Sequence, residues 1–200
     1  MGSVMVDLSV SLDGYIAGPD DGHEYPLGRG GEGLFTWMGA GPEENRVESR
    51  LQPPDASKVV VDEWVANSGA IISGRRTFDI ANGWYGGHPI DVPIFVLTHE
   101  APTHGEWSPR VEFVTDGLEH ALELAQKAAG EKVVSVCGAD PAQQLLRAGK
   151  LDEIQVSVVP LLLGGGVRLL DHFGPDPIKL EQTRVIESEG VTHLRYRVVR

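Results

Sequence analysis

The turn Gly74-Arg75-Arg76-Thr77 carries residue types that bind phosphate groups. It follows residues 70–73, whose apolar character predicts a buried strand, and it leads into a short predicted helix. Open α/β sheets bind ligands at the carboxyl ends of their strands, where the first helical turn leaves backbone N–H groups free. The Thr77 hydroxyl and the two arginine side chains add further donors for phosphate. A solvated basic turn without a ligand explains the same residues equally well.

A second candidate site is Cys137-Gly138-Ala139, which lies between a predicted buried strand at residues 133–136 and a predicted helix. Small residues at such a junction let a flat ligand approach the backbone closely. Asp140 is predicted to cap this helix at its start. A carboxylate in that place would occupy N–H groups that a phosphate could otherwise use, so plain packing of strand against helix is an equal alternative.

Two glycine-rich segments are weaker candidates. Residues 28–33 match the G-x-G-x-x-G pattern of dinucleotide-binding sites, but that pattern must close a strand and open a helix. Residues 24–27 do not predict a buried strand and residues 34–39 do not predict a helix, so we interpret 28–33 as a flexible loop. It belongs to a long segment, 18–54, which is predicted to be functional because such loops are uncommon inside a domain. The second segment, Gly164-Gly165-Gly166, is typical of a mobile or tightly turned connection.

Other catalytic patterns are missing from the sequence. It contains no Walker A, H-E-x-x-H or G-x-S-x-G motif, and its seven histidines are scattered, which gives metal catalysis little support. Cys137, the single cysteine, is predicted to be a small buried residue and not a nucleophile. One cysteine allows neither an intramolecular disulfide nor a cysteine-based zinc cluster, as expected for a reducing compartment.

These candidate sites depend on a regular alternation of strands and helices. Apolar or alternating segments predict strands at residues 4–10, 70–73, 92–97, 111–114, 133–136 and 154–159, with two more in 178–199 around a Ser188-Glu189-Gly190 turn. Helical spacing predicts helices at 59–67, 118–129 and 141–148, the second of them capped by Asp116 together with Glu119. The fold class is therefore α/β, with a mainly parallel central sheet and an antiparallel hairpin at its C-terminal edge.

Composition favours a single domain over residues 1–200. The chain has 200 residues and a formal charge of −12 at pH 7, with a pI of about 4.9. An acidic surface repels phosphate backbones and anionic lipids, so we expect neither nucleic acid nor membranes among its partners. The N-terminus lacks the pattern of a signal peptide, and the apolar stretch before Gly164 is too short to span a bilayer, so we expect a cytoplasmic protein.

Taken in order, four segments resemble the dihydrofolate reductase superfamily, and in particular the branch with the riboflavin-biosynthesis reductase domain and its stand-alone bacterial relatives. They are Ser11-Leu12-Asp13-Gly14-Tyr15-Ile16-Ala17, Ile72-Ser73-Gly74-Arg75-Arg76-Thr77-Phe78, Val136-Cys137-Gly138-Ala139, and the stretch from Leu151-Asp152-Glu153-Ile154 through Pro160-Leu161-Leu162-Leu163-Gly164-Gly165-Gly166. The resemblance implies the three-layer fold of that superfamily and NADPH as the cofactor. It also implies a homodimer, because members of the branch commonly pair.

The resemblance further implies roles for particular residues. The adenosine ribose-phosphate side of NADPH would be held by Gly74, Arg75, Arg76 and Thr77 together with Thr98 and His99, and Thr115 would border the adenine. Cys137, Gly138 and Ala139 would lie beside the diphosphate and the nicotinamide, which the loop from Asp13 to Ala17 would cover. Asp13 would orient the substrate or supply a proton, and the substrate pocket would include Trp37, Gly164 and Gly165. Arg75 and Arg76 would make the protein prefer NADPH to NADH.

The function implied is hydride transfer from NADPH to a C=O or C=N bond of a small heterocyclic or sugar-linked substrate, as in 5-amino-6-(5-phosphoribosylamino)uracil reductase. Two alternatives stay open. Cys137 stands where the family usually has a glycine, which would suit an inactive nucleotide-binding or interaction protein of the same fold. Dihydrofolate reductase is the other, although folate reduction uses a carboxylate near the start of the helix before the Gly-Arg strand. Asp55, Asp62 and Glu63 are nearby but do not match that position.

Overall fold

Eight strands form the central sheet in the part of the chain that the structure, a computed structural model, describes: residues 2–39, 53–86 and 88–200. In chain order the strands are β1 (Val4–Ser11), β2 (Tyr15–Ala17), β3 (Ser68–Gly74), β4 (Ile94–Leu97), β5 (Val111–Val114), β6 (Val133–Cys137), β7 (Glu153–Val159), β8 (Val167–Arg168), β9 (Leu180–Ser188) and β10 (Val191–Val198). The order within the sheet is β5-β4-β3-β6-β1-β7-β10-β9, and β2 pairs with β8 separately.

The first six strands of that order run parallel, and the last two form an antiparallel hairpin at one edge. Parallel strands need cover on both faces, which explains their nearly continuous apolar sequences. The alternating tail instead suits strands with one buried face, and Gly190 takes the positive φ of 73° in the tight turn between β9 and β10. The predicted mainly parallel sheet with a C-terminal antiparallel hairpin is confirmed.

Helices lie on both faces of this sheet. They are α1 (Asp55–Asn67), α2 (Arg75–Ile80), α3 (Leu118–Ala129) and α4 (Ala139–Arg147), with short 3-10 helices at Gly31–Met38 and Asn82–Gly86. One sheet face packs against α3 and α4 in the main core, which includes Val6, Ile72, Val136, Ala125 and Leu145. Burial of each Val, Leu or Ile side chain there contributes roughly 1.5–3 kcal/mol to stability. None of the helices in the described ranges has the length and apolar character needed to cross a membrane.

The opposite face of the sheet, under α1, carries a layer of paired polar side chains. His193 on β10 lies between two serine hydroxyls, with Nε2 2.8 Å from Ser57 Oγ and Nδ1 2.8 Å from Ser157 Oγ. Trp37 donates its Nε1 hydrogen to Ser9 Oγ at 2.9 Å. Burial of a polar group is costly unless it is hydrogen-bonded, so these partners fix the position of α1 and of the 3-10 helix on the sheet.

Both predicted helix caps are wrong. Helix α3 begins after Gly117, whose φ is 93°, and Asp116 is exposed outside it. Helix α4 begins after Gly138, whose φ is 106°, so Asp140 lies inside the first turn and accepts a hydrogen bond from Gln144 Nε2 at 2.6 Å. In both places a glycine with positive φ turns the chain directly into the helix, and no side chain of the described residues caps either start.

Residues 28–33 are not the flexible loop that the sequence predicts. Gly18 N donates to Leu27 O at 2.8 Å, which pairs the two ends of the turn. A Cβ on Gly28 would lie 2.1 Å from Gly18 O, so only glycine allows this close backbone contact. The Gly31–Met38 3-10 helix follows, in a segment for which no helix was predicted. These contacts give the glycine-rich segment a packed structural role.

The sequence did not predict the pair of short strands β2 and β8 or the 3-10 helix at Asn82–Gly86. Other differences are boundaries. Helix α1 begins at Asp55 and not near residue 59, and β1 continues to Ser11, one residue beyond its predicted end. The predicted functional segment 18–54 is only partly covered by the structure, because its residues 40–52 lie outside the described ranges.

Candidate active site

Strands β3 and β6 are neighbours in the sheet, and the chain leaves their carboxyl ends in opposite directions. From β3 it passes through α2 to β4 on one side, and from β6 it passes through α4 to β7 on the other side of β1. Such a switch point leaves a crevice outside the strand ends, which is where open α/β sheets bind ligands. Ser73 and Cys137 are the last residues of the two strands in register, so Gly74 and Gly138 directly follow the pair.

The starts of α2 and α4 pack side by side at this crevice. A Cβ on Gly138 would lie 2.6 Å from Thr77 Oγ1, and its φ is 106°, so glycine is required there for space and for conformation. A Cβ on Gly74 would lie 3.3 Å from Pro141 Cδ in the first turn of α4. No described side chain caps α4, so the backbone N–H groups of Ala139 and Asp140, which precede Pro141, have no capping partner and could donate to an anion.

Arg75 faces the ends of β4 and β5. Its Nε donates to the two Asp79 carboxylate oxygens at 2.8 and 2.9 Å, and its Nη1 donates to the Glu100 carbonyl oxygen at 2.8 Å. Thr98 Oγ1 donates to the same carbonyl oxygen at 2.9 Å and lies 3.5 Å from Nη1. The guanidinium carbon is 6.0 Å from the centre of the Phe113 ring. These contacts fix Arg75 beside Thr98 while leaving 34% of its side chain exposed.

Arg76 points towards the segment that follows β2. Its Nε and Nη2 donate to the Asp21 carboxylate at 2.8 and 2.9 Å, and Nη2 also donates to the Asp21 carbonyl oxygen at 2.6 Å. Hydrogen bonding to Asp21 and the charge of that carboxylate raise the pKa of Arg76. A phosphate at Arg76 would therefore have to compete with a carboxylate that already binds it through two nitrogens.

The predicted cofactor residues line up along the carboxyl edge of the sheet. Thr98, His99 and Thr115 follow β4 and β5, residues 74–77 span the end of β3 and the start of α2, and residues 137–139 span the end of β6 and the start of α4. His99 and Thr115 are exposed. Together these residues offer hydroxyls, arginines and open helix N–H groups in one row, which is the donor set that the phosphates of a dinucleotide such as NADPH require.

Asp13 joins the loops that follow β1 and β7. Its Oδ1 accepts hydrogen bonds from Ser11 Oγ at 2.6 Å and Leu163 N at 3.1 Å, and its Oδ2 accepts one from Gly164 N at 2.7 Å. The hydrogen bond from Ser11, with those from the backbone, lowers the pKa of Asp13 to about 2. Asp13 is thus an ionised residue that fastens two loops together, and its role towards a substrate stays a prediction.

Ala17 and the glycines of the second loop lie in the same region. Ala17 is opposite Val167 in the antiparallel pair formed by β2 and β8, and it is buried. A Cβ on Gly166 would lie 2.1 Å from Ala17 O, so the two backbones touch. Gly164 is exposed and Gly165 is partly exposed. The structure thus brings these predicted loop residues together beside the end of β1, the strand next to β6.

Trp37 lies deeper than the other predicted substrate residues. It is 5% exposed, and its ring meets the His193 ring edge-on with centroids 4.8 Å apart. Its contacts place it against the polar layer under α1 and not on the open rim of the crevice. Its predicted role as a wall of the substrate pocket stays a prediction.

The start of α1 presents a hydroxyl to the sheet. Ser57 is buried and bonds His193, whereas Asp55 and Asp62 are exposed to solvent. Glu63 pairs with arginines of the C-terminal hairpin, farther along the helix. Near the start of α1 it is thus the hydroxyl of Ser57, and not the carboxylate of Asp55, that faces the sheet. The alternative of dihydrofolate reductase stays a prediction.

Cys137 carries a neutral thiol. Burial raises its pKa to about 11, and the side chain packs against the aromatic and aliphatic cluster that contains Ile71 and Phe78. The thiolate is the reactive form of cysteine, so a thiol with this pKa is a poor nucleophile near neutral pH.

Asp7 received no role from the sequence, although it lies in the middle of β1. Its Oδ2 accepts a hydrogen bond from Gln155 Nε2 at 2.6 Å. Burial raises the pKa of Asp7 to about 7, against the opposing charge of Arg195. The signal was present in the sequence, because this aspartate interrupts the otherwise apolar run from Val4 to Leu8.

Residues 3–194 match the family profile described as RibD C-terminal domain. A riboflavin biosynthesis protein from Shewanella sp. PV-4 is similar in structure, with a TM-score of 0.68, 23% identity and coverage of 99% of each chain. A diaminohydroxyphosphoribosylaminopyrimidine deaminase/5-amino-6-(5-phosphoribosylamino)uracil reductase from Thermotoga maritima has a TM-score of 0.61 and 15% identity, over 99% of this chain and 57% of that protein.

Dihydrofolate reductase from Enterococcus faecalis, solved as a complex with NADP(H), has a TM-score of 0.59 and 15% identity, over 100% of this chain and 98% of that enzyme. No curated protein matches the sequence. At these identities the likenesses show the fold, which is that of dihydrofolate reductase, as the resemblance of the four sequence segments implied.

Proposed function

We propose, since the chain belongs to the RibD C-terminal domain family, that it is an NADPH-dependent reductase of a C=O or C=N bond in a small heterocyclic or sugar-linked compound. The observation that carries the proposal is the switch point at the carboxyl ends of β3 and β6, where Gly138 meets Thr77 and Arg75 lies at the outer end. The reductase named for the T. maritima protein provides a first substrate to test, 5-amino-6-(5-phosphoribosylamino)uracil.

The residues at the crevice fit the parts of NADPH in order. The first N–H groups of α4 and the Thr77 hydroxyl suit the diphosphate, and Arg75 with Thr98 suits the phosphate on the adenosine ribose. The flat nicotinamide ring would lie against the backbone of Gly138 on the side away from Thr77, because Thr77 Oγ1 fills the place that a Cβ of Gly138 would take. When bound, the cofactor supplies the hydride, and the chain aligns it with the substrate.

The loops fastened by Asp13 would close the other side of the site. Asp13 connects the turn after β1 to Leu163 and Gly164, and the pairing of β2 with β8 extends this connection. A loop held in this way keeps water from the reacting atoms without a large motion of the sheet.

Turnover tests the proposal directly. The purified protein would be mixed with NADPH and 5-amino-6-(5-phosphoribosylamino)uracil, or with simple carbonyl and imine compounds, and oxidation of the cofactor followed by absorbance. We expect oxidation that depends on the acceptor. Binding of NADPH without oxidation by any acceptor would favour an inactive nucleotide-binding protein of this fold, and no binding would refute both possibilities.

Arg75→Ala is expected to weaken NADPH binding roughly ten- to a hundred-fold and to leave NADH binding nearly unchanged. The two cofactors differ by one phosphate, and a hydrogen bond to a charged group contributes roughly 1.5–3 kcal/mol, at about 1.4 kcal/mol per tenfold in affinity. Calorimetric titration of both cofactors at fixed ionic strength measures the difference, since salt screens such contacts.

Arg76→Ala distinguishes the contributions of Arg75 and Arg76, to both of which the sequence analysis assigned the preference for NADPH over NADH. Because Arg76 is already paired with Asp21, we expect a smaller loss that is similar for NADPH and NADH. Arg147→Ala, near the far end of α4, is the matched control and should bind both cofactors as the wild type does. Equal losses for the two cofactors in Arg75→Ala would mean that Arg75 only supports the fold, and no loss would remove it from the site.

We also propose a homodimer. Leu12 and Leu162 are 68% and 70% exposed, and their loops are joined by a hydrogen bond from Leu12 N to Leu161 O at 2.9 Å. Exposed apolar groups that lie together favour cover by a partner. Light scattering should give twice the mass of one chain, and the mass of a single chain at working concentration would contradict the proposal.

A further inference from the structure

We propose that Asp7 supplies the proton in the reduction proposed above, a role that rests on that function: its carboxyl group donates to the oxygen or nitrogen of the bond being reduced. Reduction of a C=O or C=N bond adds a hydride to carbon and a proton to the heteroatom, and NADPH provides only the hydride. Asp7 gives up its carboxyl proton, becomes a carboxylate, and takes a proton from water before the next turnover.

Asp7 lies next to the proposed nicotinamide position. Val6 and Val136 are the last residues of β1 and β6 in register, so Asp7 lies one position further, level with Cys137 and just before Gly138. Alternation along both strands places Asp7 and Cys137 on the same face of the sheet, the face that α1 covers. A proton donor must come within hydrogen-bond reach of the substrate, and this position meets that requirement for a substrate stacked on the nicotinamide.

Protein closely surrounds the Asp7 carboxyl. Asp7 is half-buried as a residue, and burial raises the pKa of its carboxyl group to about 7. Oδ2 accepts the hydrogen bond from Gln155, and Oδ1 has no hydrogen-bond partner among the described residues. Oδ1 is therefore the atom that can carry the proton to a ligand.

Charged residues of two neighbouring elements, β10 and α1, act on Asp7. Arg195 on β10 donates Nε to Gln155 Oε1 at 2.6 Å, which turns the Gln155 amide so that its NH2 faces Asp7. Glu63 on α1 accepts hydrogen bonds from Arg195 at 3.3 Å and from Arg184 on β9 at 2.6 Å. Arg195 lowers the pKa of Asp7 and Glu63 raises it. The network therefore orients Asp7 and adjusts its affinity for the proton, so Gln155 and Arg195 are positioning residues.

Asp13 is less suited to the same task. Three hydrogen bonds occupy its carboxylate oxygens, and they lower its pKa to about 2. A carboxyl group with that pKa carries no proton near neutral pH, whereas an efficient proton donor has a pKa close to the working pH.

The test compares pH profiles of kcat/KM, with 5-amino-6-(5-phosphoribosylamino)uracil as the probe. In the wild type, kcat/KM should fall tenfold per pH unit above about pH 7, because the free enzyme must hold the proton. Asp7→Asn should lower kcat/KM about 100-fold at about pH 6 and abolish the break near pH 7. Arg195→Gln should move the break to higher pH, because its positive charge favours ionised Asp7. Asp176→Asn removes an exposed carboxylate and should keep the wild-type profile.

Titration of Asp7 in the ligand-free protein gives a readout that does not depend on turnover. The infrared or carbon NMR signal that disappears in Asp7→Asn should titrate near pH 7. A midpoint near the ordinary value of 3.8 would overturn the proposal. Affinity for NADPH and the circular dichroism spectrum should be unchanged in Asp7→Asn. Asp7→Glu keeps a carboxyl and should keep a break in the profile, so it serves as the test if Asp7→Asn fails to fold.

The outcomes separate the two proposals. A wild-type protein that reduces the probe, with an Asp7→Asn variant that keeps both the rate and the break, would overturn the role of Asp7 and leave the reductase standing. A wild-type protein that binds no NADPH, or that reduces no acceptor, would overturn the proposed function and the role of Asp7 with it.

Discussion

The free energy of unfolding of the Asp7→Asn variant, relative to that of the wild type, is expected to rise by roughly 4 kcal/mol as the pH increases from about 4 to about 7. The pKa of Asp7 is raised from 3.8 to about 7 in the folded state, so folding favours the protonated form. In this window the folded wild type holds a proton that the unfolded chain has released, and its stability falls as the pH rises, by about 1.4 kcal/mol per unit. Above the folded pKa both states are ionised and the loss is complete. Asparagine does not titrate, so the Asp7→Asn variant does not lose stability in this way.

Urea unfolding at several pH values measures this effect in the wild type, in Asp7→Asn and in the exposed control Asp176→Asn. The stability difference between Asp7→Asn and the wild type should grow through the window and level off above it, while the control should follow the wild type. A difference that stays constant with pH would show that Asp7 ionises as an ordinary exposed carboxyl does. A proton donor that destabilises the fold when ionised is a known kind of trade-off between activity and stability.

His193→Ala is expected to destabilise the protein by about 3–5 kcal/mol. The imidazole is 2% exposed and hydrogen-bonds Ser57 and Ser157 at 2.8 Å each, and it packs edge-on against Trp37. Its removal leaves two buried hydroxyls without their partner and opens a cavity beneath α1. Unfolding in urea measures the loss, and His120→Ala on the exposed face of α3 is the control, expected within about 0.5 kcal/mol of the wild type.

The pH dependence of His193 has the opposite sign to that of Asp7. Burial, with the charge of Arg184, lowers the pKa of His193, so the folded state favours the neutral ring. The unfolded chain then takes up a proton first as the pH falls, and the contribution of His193 is present above about pH 6.5 and decreases towards its folded pKa. His193→Ala should abolish this acid-side loss. Asp7 titrates with the opposite sign over the same pH range, so the test uses the Asp7→Asn background. A stability of that variant that does not change below about pH 6.5 would contradict the buried neutral state of His193.

Local patterns were sufficient for the elements whose signal lies within one segment. Helix α3 at 118–129 and strand β5 at 111–114 match the sequence prediction at both ends, because their apolar spacing reports the face that they bury. The two predicted helix caps were wrong, and the reason is also local. Each helix begins after a glycine with positive φ, Gly117 or Gly138, in place of the expected capping side chain.

The candidate site was less accessible from the sequence, because its contacts join distant residues. Asp7 and Gln155 are 148 residues apart, and Ser57 and His193 are 136 apart, so only the register of β1, β7 and β10 brings these side chains together. Asp13 was predicted to be a site residue, which stays a prediction, and its loop-fastening contacts depend on a backbone donor 150 residues away. The one local sign of Asp7 in the sequence was an acidic residue inside an apolar strand. Its role could be interpreted only together with its distant partner, Gln155.

Calorimetric titration of the wild-type protein with NADPH and NADH tests most directly whether the carboxyl ends of β3 and β6 bind NADPH. We predict saturable binding of one NADPH per chain, with NADH weaker by roughly ten- to a hundred-fold because it lacks the phosphate that Arg75 is placed to bind. Equal affinity for the two cofactors would mean that Arg75 does not bind the phosphate that distinguishes NADPH from NADH. No saturable binding of NADPH would contradict the account as a whole.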